Sequence, residues 1–218
     1  GLIFGSLLIM SFYHLIIGFI LKKYDGGYFS SSLIFSFLLI VVGLRVLLSG
    51  NRLLYIMLPN FSWAYGVRLE YLTLYAIMPL FVYFFKSMFF EKRYKGLFNT
   101  VIVLGAFFFT AAMVLSIRVS GYLVPAYQGY MVVVLIIIMG LNIIAIKEKQ
   151  EAAITFIAGM ILLFFAGIMD ILYYNELISV VNFAESAFFL FTILYSIMLM
   201  NKFATAFEKA NLYKLDVQ

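Results

Sequence analysis

Seven long apolar runs, separated by short polar breaks, set the pattern of this chain. They lie at about Gly1–Leu21, Tyr28–Leu48, Val67–Phe85, Leu97–Ile117, Pro125–Ile146, Ala152–Tyr174 and Val181–Met200. Each has about the 20 residues that a helix needs to cross a bilayer. Backbone groups in lipid must bond within their own segment, which leaves helices or a closed barrel. Barrel strands alternate polar and apolar positions, and these runs do not. The pattern therefore predicts an all-α integral membrane protein, a bundle of about seven transmembrane helices. Pro79 falls inside the third run, where it removes one ladder bond and predicts a kink.

The breaks predict how the bundle sits in the membrane. The breaks after runs one, three and five, with the tail, hold Lys22, Lys23, Lys86, Lys92, Arg93, Lys95, Lys147, Lys149, Lys202, Lys209 and Lys214. The opposite side holds Arg45, Arg52, Arg68 and Arg118. Basic residues collect on the cytoplasmic side, so the N-terminus is expected outside and the C-terminus in the cytoplasm. An odd number of spans agrees. Residues 1–200 are then the transmembrane domain, and 201–218 begin a cytoplasmic linker helix. In that tail Phe203, Phe207, Ala210, Lys214 and Val217 recur at helical spacing. The segment fits the start of a parallel dimeric coil or a helix lying on lipid. The chain begins without Met and ends within a helical pattern, and is expected to be a fragment of a longer protein.

Composition supports this picture and narrows the chemistry. Of 218 residues, 66% are hydrophobic and 11% charged, with a net charge of +5. A soluble domain carries roughly 25% charged residues, so most of the surface is expected to face lipid. The basic excess reports orientation and does not point to nucleic acid. There is no cysteine and one histidine, which excludes thiolate sites, disulfides and multi-histidine metal centres. No metalloprotease, nucleophile-elbow or phosphate-loop motif is present. No catalysis within the chain and no cofactor are expected.

Ionisable groups inside spans are costly and ask for a reason. Arg45, Glu70, Asp170 and Glu185 all fall near the outer ends of their predicted spans. One cation among three carboxylates makes a candidate polar cluster that an outside signal rearranges. The plainer reading is that each side chain reaches the interface or makes a static interhelical bond. Asn182, Glu185, Thr192 and Ser196 lie near one face of the last run, a stripe expected to face the bundle interior. His14 shares a face with Ser11 and Gly18 and reads as a hydrogen-bonded packing residue before a proton relay. Gly1-x-x-x-Gly5 and Ser32-x-x-x-Ser36 are spacings that permit close helix contact. No internal repeat is apparent; matching breaks in two halves would mark a transporter, the alternative function.

Several stretches resemble one family. The opening GLIFGSLLIMSFYHLIIGFILKKYD, with Gly1 and Gly5, is similar to its first span. LLYIMLPNFSWAYGVR, with Pro59, Trp63 and Arg68, resembles its outer loop, and KSMFFEKRYKGL its cytoplasmic loop before span four. NFAESAFFLFTILYSIMLMNKFATAFEKAN, with Glu185, resembles its last span and exit helix. The family is that of the bacterial seven-transmembrane receptors with diverse intracellular signalling modules. The resemblance covers essentially the whole chain and implies the membrane domain of a homodimeric receptor in the bacterial inner membrane. It also implies an extracytoplasmic, carbohydrate-binding-like sensor before the first span. A kinase, cyclase or phosphatase module after the last is implied in the same way.

Overall fold

The computed structural model describes residues 2–21, 26–49, 52–90, 92–150, 153–179, 186–198 and 200. Its elements are α1 (Leu2–Leu21), α2 (Gly26–Leu48), α3 (Leu53–Met57), α4 (Trp63–Phe89), α5 (Lys95–Val114), α6 (Ile117–Tyr122), α7 (Val124–Lys147) and α8 (Ala153–Tyr174). A shorter apolar helix, α9 (Ser186–Met198), occupies the second part of the seventh predicted run. Among the described residues there is no strand. Among the described residues six helices are long and apolar enough to cross a membrane: α1, α2, α4, α5, α7 and α8.

Burial follows helical period, and the unburied faces are as apolar as the core. In α1 the buried positions are Leu7, Ser11, His14 and Gly18, while Ile9, Phe12, Ile16 and Phe19 face outward. In α9 they are Ala187, Phe191, Thr192, Tyr195 and Met198. Such spacing puts one stripe of each helix against its neighbours. A fully apolar circumference is what lipid selects. α4 packs against both α2 and α5, α1 against α2, and α7 against α8. The core is built around aromatic rings. Phe35 of α2, Phe84 of α4 and Tyr195 of α9 meet with centroids 4.0 to 5.0 Å apart. Phe156 of α8 packs on Phe85 at 5.3 Å and on Phe191 at 5.6 Å. Without a hydrophobic force between helices in lipid, this ring packing is a main source of cohesion.

Three features differ from the sequence expectation. α4 begins at Trp63, earlier than Val67, and runs to Phe89, so its 27 residues extend about 40 Å. The fourth run does not continue to Ile117. α5 stops at Val114, Leu115 turns extended, and α6 starts behind Ser116, whose hydroxyl accepts from the Val119 N–H at 3.4 Å. The Arg68 guanidinium completes that break by donating to the carbonyls of Met113 (2.7 Å) and Leu115 (3.2 Å). These are carbonyls that a helix C-terminus leaves unpaired. The third difference is α3, a short helix inside what reads as a plain polar-aromatic loop.

α4 is one unbroken helix through Pro79. The proline ring lies against Gly105 of α5, where a Cβ would overlap it and would stand 2.7 Å from the Tyr130 hydroxyl. Tyr130 of α7 donates to the Val101 carbonyl at 2.9 Å. Gly105 is thus the place where three helices converge. Gly5, in contrast, has open space where its Cβ would stand. Gly1 lies outside the described residues.

Candidate functional site

The structure connects two of the four candidate residues. Arg45, in the last turn of α2, is half-buried, and its Nη1 donates to the main-chain carbonyl of Glu70 at 3.2 Å. The bond goes to the backbone of α4, not to the carboxylate. Thr73 donates to the same carbonyl at 3.0 Å. Arg45 therefore fastens the end of α2 to the second turn of α4, whatever the side chain at position 70 carries. Glu70 and Asp170 are themselves half-buried, Asp170 near the end of α8. Glu185 and Asn182 lie outside the described residues.

A second polar set lies nearer the other, basic face of the bundle. Ser11 and Ser36 exchange hydrogen bonds reciprocally: Ser11 Oγ donates to the Ser36 carbonyl (3.0 Å) and Ser36 Oγ to the Ser11 carbonyl (2.9 Å). Each hydroxyl satisfies the other helix's backbone, which lets α1 and α2 approach closely. This gives Ser36 of the small-residue pair its role. Ser87 of α4 donates to the Ser31 hydroxyl of α2 at 3.1 Å.

One turn along α1 from Ser11 is His14, fully buried. Its Nε2 lies 3.0 Å from the Ser196 hydroxyl of α9. Ser196 also lies 2.8 Å from the Thr192 carbonyl, which accepts its single hydrogen. That network assigns the imidazole proton to Nε2, donating to Ser196. Nδ1 is then a buried acceptor, and no protein atom bonds to it. The ring is boxed by Tyr13, Phe35 and Tyr195 with centroids 4.9 to 5.4 Å away. The imidazole, set between aromatic rings, holds α1 to α9 across 182 residues of sequence. Thr192 and Ser196, the described part of the α9 polar stripe, thus face the interior as expected.

The chain matches, over residues 1–202, a family model described as 7TM diverse intracellular signalling. The chain belongs to this family. No curated protein and no solved structure matches it. As a 7TM diverse-intracellular-signalling domain, it is a multi-pass membrane protein and the membrane part of a signalling receptor. The polar contacts above are therefore joints between spans of a signalling domain. Sequence reasoning placed Arg45, Glu70 and His14 but missed which atoms they meet. It also missed Asn142 of α7, fully buried with neither amide atom bonded to protein. An amide inside an apolar run was the available signal.

Proposed function

We propose that this domain relays an extracytoplasmic ligand signal to a cytoplasmic output module in the same receptor, working as a homodimer in a bacterial inner membrane. The observation that carries the proposal is membership of the 7TM diverse-intracellular-signalling family over residues 1–202. On this reading the α1 N-terminus is outside and α9 leads into the cytoplasm. Residues 1–200 carry the signal and 201–218 pass it on. The chain itself is not catalytic and takes no cofactor.

The joints support a division of labour. On this reading Arg45, Glu70, Asp170 and Glu185, at the outer ends of their spans, act together in signalling, and the bond from Arg45 to the Glu70 carbonyl is the part of that set the structure supports. His14 and Ser196 lie nearer the cytoplasmic end and bind the first span to the last. A shift of either partner is felt directly by the helix that exits toward the output. In the full-length receptor, Glu185→Gln is expected to change output while expression and membrane insertion stay normal. Output indistinguishable from wild type removes Glu185 from the signal path.

A further inference from the structure

α3 has no buried residue. Ile56, Met57 and Leu58 are 69, 66 and 52% exposed, and Trp63 and Tyr65 beside them are 54 and 68% exposed. Large apolar side chains grouped this way mark an interaction surface. The group is held in place. The Tyr55 ring lies 5.5 Å from Trp63 and 6.2 Å from Phe61, and its hydroxyl donates to the Trp63 carbonyl at 3.5 Å. Gly66 makes this possible, since a Cβ there would fall on the Tyr55 hydroxyl. The Arg52 guanidinium stands over the Trp63 ring at 4.3 Å.

Two facts choose the occupant. The segment is tethered at both ends to membrane-crossing helices, α2 ending at Leu48 and α4 starting at Trp63. Its level is therefore the boundary of the hydrocarbon, on the face opposite the basic loops. Its chemistry is that of the boundary too: aliphatic side chains for acyl chains, Trp and Tyr for the headgroup level, and a cation for phosphate. We propose that α3 is an interfacial anchor. Ile56, Met57 and Leu58 enter the acyl–headgroup boundary, and Arg52, stacked on Trp63, binds a lipid phosphate. This anchor does not depend on the receptor reading; it fixes the height and tilt of α4 in any function.

The chain lacks cysteine and has a single tryptophan, so two site-specific probes are available. An environment-sensitive fluorophore is attached to Ile56→Cys and, separately, to Leu58→Cys, in the chain reconstituted in phosphatidylcholine–phosphatidylglycerol vesicles. Far-UV circular dichroism checks that each variant folds, and Trp63 emission serves as a second reporter of the same site. Lipids brominated near the headgroup end of the acyl chain are expected to quench both labels roughly twofold more than lipids brominated near the chain terminus. Aqueous iodide is expected to quench them little. Arg52→Gln is expected to reduce the shallow-lipid quenching by about half. Ready quenching by iodide, without quenching by lipid, places α3 in water and overturns the proposal. Protection from both quenchers means that protein covers α3 and overturns it equally. An Arg52→Gln variant identical to the parent overturns the phosphate contact.

Discussion

His14 is the residue whose environment has the sharpest energetic consequence. A buried hydrogen bond contributes about 1 kcal/mol net, whereas leaving one buried partner unsatisfied costs roughly 1–3 kcal/mol. Ser196→Ala leaves both imidazole nitrogens without a partner, because Nδ1 already has none. His14→Leu removes the whole polar burden together with the bond. Ser196→Ala is therefore expected to destabilise the domain more than His14→Leu, by about 1 kcal/mol. Adding Ser196→Ala to His14→Leu is expected to cost little further. Equilibrium unfolding in mixed micelles measures the cycle; equal effects of the two single substitutions would dissolve the assignment. The bond was invisible in the sequence. His14 could be placed on an inward stripe, but its partner is 182 residues away and depends on which helices become neighbours.

At the scale of elements, what the residue pattern makes legible is that a helix exists; what it hides is where the helix stops. The fourth run stays apolar past Val114, so hydropathy alone carries it on. It ends because Ser116 caps α6 and Arg68 takes the freed carbonyls of Met113 and Leu115. Arg68→Ala is expected to cost about 1 kcal/mol of thermal stability, and Arg68→Lys to recover little of it, since an ammonium cannot span both acceptors. Melting of the purified protein in detergent checks this. Gly105→Ala is the more severe change. The new methyl meets the Pro79 ring and the Tyr130 hydroxyl, and overpacking of this kind costs roughly 1–3 kcal/mol. The same melting measurement, compared with Gly129→Ala where the Cβ has open space, isolates the clash.

The loops on the basic face add a weaker, pH-dependent link. Arg93, between α4 and α5, pairs with Glu148 at the end of α7. The hydrogen bond from Arg93, aided by one from Gln150, holds the Glu148 carboxyl below its usual range. A depressed carboxylate contributes stability above its unfolded value and loses it as pH falls through the folded one. Both side chains are solvent-exposed, so the contribution is small and screened by salt. Glu148→Gln is expected to lower the Tm slightly at neutral pH, with the difference vanishing once acid protonates the carboxylate. A difference that grows in acid would contradict the sign.

For the whole molecule, the architecture was readable because a bilayer imposes one length on every span. Six of the seven runs, in their order, are membrane-length helices among the described residues, and α9 occupies part of the seventh. The proposed orientation rests on sequence alone: the breaks after runs one, three and five, with the tail, hold eleven of the fifteen basic residues. A lone cysteine at Asn60 is expected to react with an impermeant maleimide on intact cells, and one at Asp216 only after lysis. The reverse pattern turns the domain over. The four candidate charges could be singled out in the sequence as costly groups within spans. The detail that Arg45 meets a carbonyl was not, because a sequence displays side chains and keeps the backbone out of view.

That preference for backbone acceptors runs through the bundle. Tyr75 donates to the Ser120 carbonyl at 2.6 Å, Tyr127 to that of Leu74 at 2.8 Å, and Tyr130 to that of Val101 at 2.9 Å. Every residue type supplies a carbonyl, so these bonds ask nothing of the side chain at the receiving position, where only packing does, whereas each needs its tyrosine. A bundle wired this way tolerates drift on one side of each joint and keeps its register. Its recognisable letters should therefore be the sparse donors, set in an apolar text that can be rewritten around them.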